Sequence, residues 1–351
     1  MRSIGRQQLQ DVVLGAGLLG AGGGGSVKEG MKLVDNVLRF TDQITLVSPD
    51  EVSESAWGAV IAGMGSPKAS LNRARLYSPR YALERLEREK GFESGFVIPF
   101  ELGAGNSINP MLAAAQKGIP MIDGDPAGRA VPQVDMTTFA LEGLSISPFS
   151  LATEEDIRVL IESDSAGSIE RVARAITAEL GGVTATSGYA MTGADLKRTV
   201  ISGTTSFAEK VGAVLRRHGN AGTDPLRELE TSCGAVLLGR GTISAIEGET
   251  RGGFDFGRVE IKGEVGLTVY YQNESMLAYA GDELRAMVPD LICAFDSEAV
   301  PMTNADLTEG MEITVVGIPA PEQFRTERAA GMFSNILAAL EYGGPYRPLQ
   351  S

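Results

Sequence analysis

One stretch of this chain limits its fold more than any other. The apolar run Phe96-Val97-Ile98-Pro99-Phe100 leads through Asn106-Ser107 into a helical segment carrying Met111-Leu112-Ala113-Ala114-Ala115. Gly118 closes that segment, and a second apolar run, Ile119-Pro120-Met121-Ile122, follows at once. Two strands joined by a crossover helix pair in parallel, because a parallel connection needs a dozen or more residues where a hairpin needs two. The preceding residues repeat the theme: Ala59-Val60-Ile61-Ala62 ends at Gly63, and Ser78-Pro79 opens a polar helix that stops near Gly91. The prediction is an α/β fold with a mainly parallel sheet.

Downstream the apolar period changes. Ile169, Val172, Ala173, Ile176 and Leu180 recur at helical spacing before Gly181-Gly182, and a second helix runs from Ser206 to His218. Beyond Asp224 the period is two: Val259 and Ile261, then Val265, Leu267, Val269 and Tyr271, with further short strands at Leu291–Cys293 and Ile313–Val316. This predicts an α/β unit over residues 1–223, a smaller all-β unit, barrel-like or a sandwich, over 224–320, and a helical tail over 321–351 that packs back on the first unit.

A formal charge of −14 repels phosphate backbones, so nucleic acid is not an expected partner. Cys233 and Cys293 are far apart and fit neither a disulfide framework nor a metal cage, which points to a reducing, cytoplasmic compartment. The stretch Val12 to Ala21 after Arg2 and Arg6 imitates a signal peptide, but it runs into Gly22-Gly23-Gly24-Gly25 instead of a small-x-small cleavage site. No apolar run is long enough to span a bilayer, and a membrane partner is not expected.

Ligands of open parallel sheets sit beyond the carboxyl ends of the strands. Three loops there are glycine-rich and polar: Gly63 to Lys68, Glu101 to Asn109, and Asp123 to Arg129. They are expected to line one cleft near the β unit. Glu101, Asp123, Asp125 and Asp135 are the candidate acid and base groups, since crowded carboxylates push each other's pKa apart. The same oxygens suit a divalent cation, so a metal held by carboxylates is the cofactor to consider. Ser66, Lys68, Asn106, Asn109, Arg129 and Thr137 are the candidate substrate contacts, with Asn273 and Glu274 forming the far wall.

Gly15-Ala16-Gly17-Leu18-Leu19-Gly20 matches the dinucleotide fingerprint in form, but no strand precedes it, and no nicotinamide or flavin is expected. The loop Gly23-Gly24-Gly25-Ser26 reads instead as a sharp turn that binds an anion before a helix containing Glu29. His218 is the only histidine and sits at a helix end, which leaves no Ser-His-Asp triad and no multi-histidine zinc site.

The segments Gly15 to Val27, Glu101 to Met111, Asp123 to Leu141 and Val288 to Ile292 closely resemble the S-methyl thiohydantoin desulfurase-like family. The resemblance implies a three-layer αβα domain with a β-barrel domain, and hydrolytic removal of sulfur from a thiohydantoin or attack on a hydantoin or related cyclic amide. It also implies a hydantoinase- or oxoprolinase-type protein partner. The alternative is a non-catalytic, ligand-binding accessory subunit of such a complex, and a homo-oligomer is the expected assembly. After Pro321 the chain departs from the pattern, with Phe333 to Tyr346 where longer members carry a glycine- and aromatic-rich stretch.

Overall fold

The computed structural model describes residues 1–65, 75–251 and 254–350. Its first sheet has eight strands in the order Arg2–Ile4, Ile44–Val47, Met121–Ile122, Ser94–Pro99, Trp57–Gly65, Val183–Thr192, Phe149–Ala152 and Arg158–Ile161. The four strands from Ile44–Val47 to Trp57–Gly65 are parallel, as the βαβ spacing predicts. Those outside them are antiparallel, so the sheet is mixed, with a parallel core of four.

The period of two decides what each face meets. Ala59, Ile61, Val97 and Met121 point to one side, where they pack on Leu9 and Val12 of helix Arg6–Leu19, Leu33 of Val27–Val37, Leu83 of Ser78–Lys90 and Leu112 of Asn109–Lys117. Val60, Met64, Phe96, Ile98 and Ile122 point the other way, onto Ile169 and Ala173 of helix Ala166–Glu179 and Leu196 of Gly193–Thr199. Helices therefore cover both faces, giving three layers.

The second sheet is antiparallel throughout, in the order Glu283–Met287, Glu274–Ala280, Leu267–Gln272, Phe254–Gly263, Val236–Arg251, Glu312–Ile318, Leu291–Asp296 and Pro301–Met302. It curls until Glu274–Ala280 approaches Leu291–Asp296. No ladder joins its end strands among the described residues, so the expected barrel is an open, curved sheet. The tail buries Phe324, Phe333, Ile336 and Leu337 in a core shared with Leu18, Val211 and Val316, while Leu349 packs into the β unit.

The fingerprint-like glycines lie within helix Arg6–Leu19 and its cap, where no phosphate-binding turn exists. They have a packing role. A Cβ on Gly15 would stand 1.7 Å from the carbonyl oxygen of Ala208, and one on Gly212 would stand 1.7 Å from that of Asp11. Helices Arg6–Leu19 and Thr204–Ala221 thus touch backbone to backbone, and Arg216 closes the crossing by donating to Asp11 at 2.6 and 3.1 Å. Gly212→Ala is expected to lower stability by about 1–3 kcal/mol through overpacking. Gly167→Ala, in a helix where a Cβ meets nothing within 4 Å, should be neutral or gain up to about 1 kcal/mol. Denaturant midpoints of the two variants check this, and equal effects would contradict the close crossing.

Candidate functional site

Beyond the carboxyl ends of Trp57–Gly65 and Ser94–Pro99, between the layered unit and the curved sheet, lies a cavity of about 820 Å³. A volume of this size suits a small molecule, and unit interfaces are where such sites form. Gly22 to Gly25, Gly63 to Gly65, Glu101 and Asn106 line it from one side, and Tyr271, Asn273 and Glu274 from the other.

Two of the three expected loops therefore reach the cavity, and the third departs from expectation. After Ile122 the chain pairs Gly124–Asp125 with Ile201–Ser202, and it reaches the cavity lining only at Val131 to Val134. Asp123 accepts hydrogen bonds from the backbone N–H and the hydroxyl of Ser206. It caps helix Thr204–Ala221, whose own cap residue Gly203 has no side chain to offer. Asp125 is fully buried, and its Oδ1 accepts the amides of Ala127 and Gly128, both at 2.7 Å. Burial pushes its pKa up to about 6 against those hydrogen bonds.

Arg129 is also fully buried and lies outside the cavity lining. Its guanidinium donates to the carbonyls of Ala130, Pro289, Asp290 and Ser275, so the donors expected to meet a substrate are committed to backbone that joins the two units. Thr137 caps the short helix Thr138–Leu141, accepting from Ala140 N at 3.1 Å. Asp135 is half-buried beside Tyr189 and Glu170, off the lining. Ser66 and Lys68 lie outside the described residues.

The residues that do converge form a chain of hydrogen bonds. Asn106 Nδ2 donates to Glu101 Oε1 at 2.7 Å, and Asn106 Oδ1 accepts from Gly63 N at 2.8 Å and Asn109 Nδ2 at 3.2 Å. Arg75 donates to Asn109 Oδ1 at 3.3 Å and forms a buried ion pair with Glu29. Glu101 Oε2 accepts from Val131 N at 2.8 Å, so both its oxygens are oriented by the protein. Asn109 is thus the brace behind Asn106 and does not line the cavity.

Glu274 faces this array from the curved sheet. It is 4% exposed, its Oε2 has no hydrogen-bond partner among the described residues, and a Cβ on Gly23 would stand 2.1 Å from its Oε1. Glycine at 23 is what lets the loop backbone lie against that carboxyl. Burial raises Glu274 to about 8, helped by the nearby charge of Glu101 and opposed by Arg129. Burial likewise raises Glu101 to about 7, with the Val131 and Asn106 hydrogen bonds pulling it down and Asp125 pushing it up. Burial thus holds both carboxyls above the ordinary carboxylate range, and the charge of Glu101 adds to the rise of Glu274.

Asn273 takes a left-handed backbone, φ 56°, at the turn into Glu274–Ala280, and its side chain accepts from Asp255 N at 2.9 Å. That turn aims Glu274 into the cavity. Ser26 caps helix Val27–Val37 by accepting from Glu29 N at 3.2 Å. The loop expected to hold an anion is flanked by acids, with Gly23 against Glu274 and Gly25 against Glu29.

Glu29, Arg75, Glu170 and Arg174 line the cavity as well, and the sequence reading missed all four as site residues. The spacing Ser26-x-x-Glu29 reads as a capping box, and Glu170 with Arg174 reads as a surface pair four residues apart, so both signals have ordinary structural meanings. Glu170 is nonetheless 4% exposed, beside the apolar stripe of Ile169 and Ala173.

His218 is bonded to Thr223 and Glu228 away from the cavity. Cys233 donates to Leu229 O, and burial raises its thiol to about 11. Cys293 is buried within its strand, and neither sulfur lines the cavity. Among the described residues no three His, Cys, Asp or Glu side chains gather as a metal-holding group. No helix among them is long and apolar enough to cross a membrane.

Comparison with known proteins adds to this geometry. A family model described as the S-Me-THD-like N-terminal domain matches residues 7–163, and one described as the S-Me-THD-like C-terminal domain matches 163–346. That division falls inside the first sheet, since Val183–Thr192 pairs with Trp57–Gly65 across it. Among curated proteins none matches. A crystal structure of a protein from Chromobacterium violaceum is similar over 100% of both chains, with 26% identity and a TM-score of 0.88. Matched from residue 7 to residue 346 by the two halves of one family, the chain belongs to the S-Me-THD-like family.

Proposed function

We propose that the cavity hydrolyses a carbon–sulfur or carbon–nitrogen bond in a thiohydantoin, hydantoin or related cyclic amide. The observation that carries this reading is the pairing of Glu101 and Glu274, two buried carboxyls held above their ordinary range at the wall of one cavity. Such a pair supplies one ionised and one protonated carboxyl at the same pH, which is what base-assisted attack and acid-assisted departure require.

For an S-substituted thiohydantoin, water adds across the ring carbon–nitrogen double bond. Glu101, oriented by Asn106 and Val131 N–H, takes the proton from water as oxygen bonds to carbon. Glu274, the more strongly raised group, gives its proton to sulfur as the carbon–sulfur bond breaks. Glu101 passes its proton to the ring nitrogen, the hydroxyl proton of the adduct returns to Glu274, and the carbon that bore sulfur becomes a carbonyl carbon, so the two hydrogens of water end on the ring nitrogen and the departing thiol. The family name supports the substrate class, and the carboxyl pair supports the reaction type.

A turnover screen of hydantoins, S-methyl thiohydantoins, oxoproline and lactams tests the proposal. The expected result is conversion of one of these classes by the whole chain, with Glu101→Gln slowed roughly 10²- to 10⁴-fold per folded molecule, its melting transition showing that the chain still folds. Tight binding of such a ring with no conversion would replace the catalytic reading with that of a ligand-binding subunit.

A further inference from the structure

The cavity is much larger than a five-membered ring, and its walls differ in character along their length. Met64, Ala62 and Val60, alternate residues of one strand, all line it, each about 7 Å farther along the strand than the last. Across the ladder, Ala62 pairs with Thr186 and Val60 with Gly188. Gly188 leaves room that its neighbours fill: a Cβ there would stand 2.8 Å from Phe149 Cδ2 and 3.1 Å from Ile146 Cγ1. Val60, Phe149 and Ile146 are each 3–5% exposed and all line the cavity.

Polar groups along this lobe are already engaged with the protein. Tyr189 donates to Val134 O at 2.9 Å, Thr186 leans on Ala62 O at 3.4 Å, and Glu170 is paired with Arg174 and accepts from Val134 N. An apolar lobe with satisfied polar neighbours gains most from an apolar occupant, because water there finds few partners. The acidic end and the apolar lobe belong to one continuous space, with room for a single ligand that reaches both.

Resting on the ring-hydrolysis reading, we infer that the substrate carries an apolar side chain of leucine to phenylalanine size on its ring, seated against Val60, Ile146 and Phe149. The ring then lies at Glu101 and Glu274, and the side chain sets selectivity. Binding and turnover of hydantoins and S-methyl thiohydantoins bearing methyl, isobutyl, benzyl or carboxymethyl at the ring carbon test this on the full chain. The isobutyl ring, with three more carbons, should exceed the methyl ring in kcat/KM by roughly 30- to 100-fold, at about 0.8 kcal/mol per buried methylene, and the benzyl ring by at least as much.

Two variants move the preference in opposite directions. Val60→Phe fills the lobe and should erase the benzyl advantage while the methyl ring is still converted. Phe149→Ala enlarges it and should favour a naphthylmethyl ring; melting temperatures show that each variant is folded. Equal conversion of all four rings, or a preference for carboxymethyl, would overturn the side-chain inference and leave the ring chemistry standing. Conversion and binding of none would overturn both.

Discussion

Glu274→Gln is expected to reduce turnover roughly 10²- to 10⁴-fold while making the folded chain more resistant to alkaline conditions. Both effects come from one fact, the burial of a carboxyl with no partner for Oε2 among the described residues. Its pKa rises from an ordinary 4.5 in the unfolded chain to about 8 when folded. A folded state that holds its proton more tightly gains stability that is complete below the unfolded value and is lost as pH rises through the folded one. Wild-type stability should therefore fall between about pH 5 and pH 8.5 by an amount on the order of a few kcal/mol, since each tenfold gain in proton affinity is worth about 1.36 kcal/mol. Gln keeps the shape, cannot ionise, and relieves Glu101 of a like-charged neighbour. Urea midpoints measured across that range should fall more steeply for the wild type than for the variant, in which the raised carboxyls of Glu101 and Asp125 still titrate. Parallel curves would mean that Glu274 is ionised and solvated in the folded protein, and unchanged turnover would remove it from the chemistry.

What the sequence disclosed depended on how each segment satisfies its backbone and buries its faces. The parallel core was legible because Ala59–Ala62, Phe96–Phe100 and Ile119–Ile122 are apolar runs with helical spacing between them. The strand Val183–Thr192 lies beside that core and is mostly buried, yet its sequence VTATSGYAMT carries no comparable apolar run. Its hydroxyls explain why burial is tolerated. Ser187 donates to Val60 O at 2.9 Å, and the hydroxyls of Thr184 and Thr177 meet at 2.8 Å. Polar residues whose hydrogen bonds close inside the protein do not betray their burial in one dimension.

The site was half legible for a related reason. Glycine-rich strand-end loops pointed to Glu101 and Asn106, whose partners lie within a few residues or on the next strand. Glu274 was a weaker suggestion, since its role depends on how the curved sheet docks across Gly23, a contact more than two hundred residues away in sequence. Asp123 and Asp125 share the expected loop position, but a two-residue ladder to Ile201–Ser202 turns them toward a helix end and an internal turn. Nothing in the spacing of residues 123 to 129 distinguishes that outcome from a ligand loop.

Arg129 offers the sharpest test of how the two units are held together. The side chain is wholly inaccessible, and its fork donates to Ala130 O and Pro289 O at 2.9 Å, Asp290 O at 3.2 Å and Ser275 O at 3.3 Å. The guanidinium also lies over the ring of Phe333, 5.8 Å from its centroid, which ties in the tail. Burial lowers its pKa, while Glu274, Cys293, Asp290 and Glu101 act to raise it. Arg129→Met fills similar volume but orphans four interior carbonyls and takes a cation from beside the carboxyl pair. The expected loss is about 3–5 kcal/mol of stability, the range for breaking a buried charge network from one side. Arg129→Lys should recover only part of it, because one ammonium cannot reproduce a planar fork reaching across two units. With the cation gone, Glu274 binds its proton more tightly still, so in any folded Arg129→Met the alkaline decline in stability should shift to higher pH. A variant of wild-type stability whose KM rises only for anionic ligands would show instead that Arg129 meets the substrate.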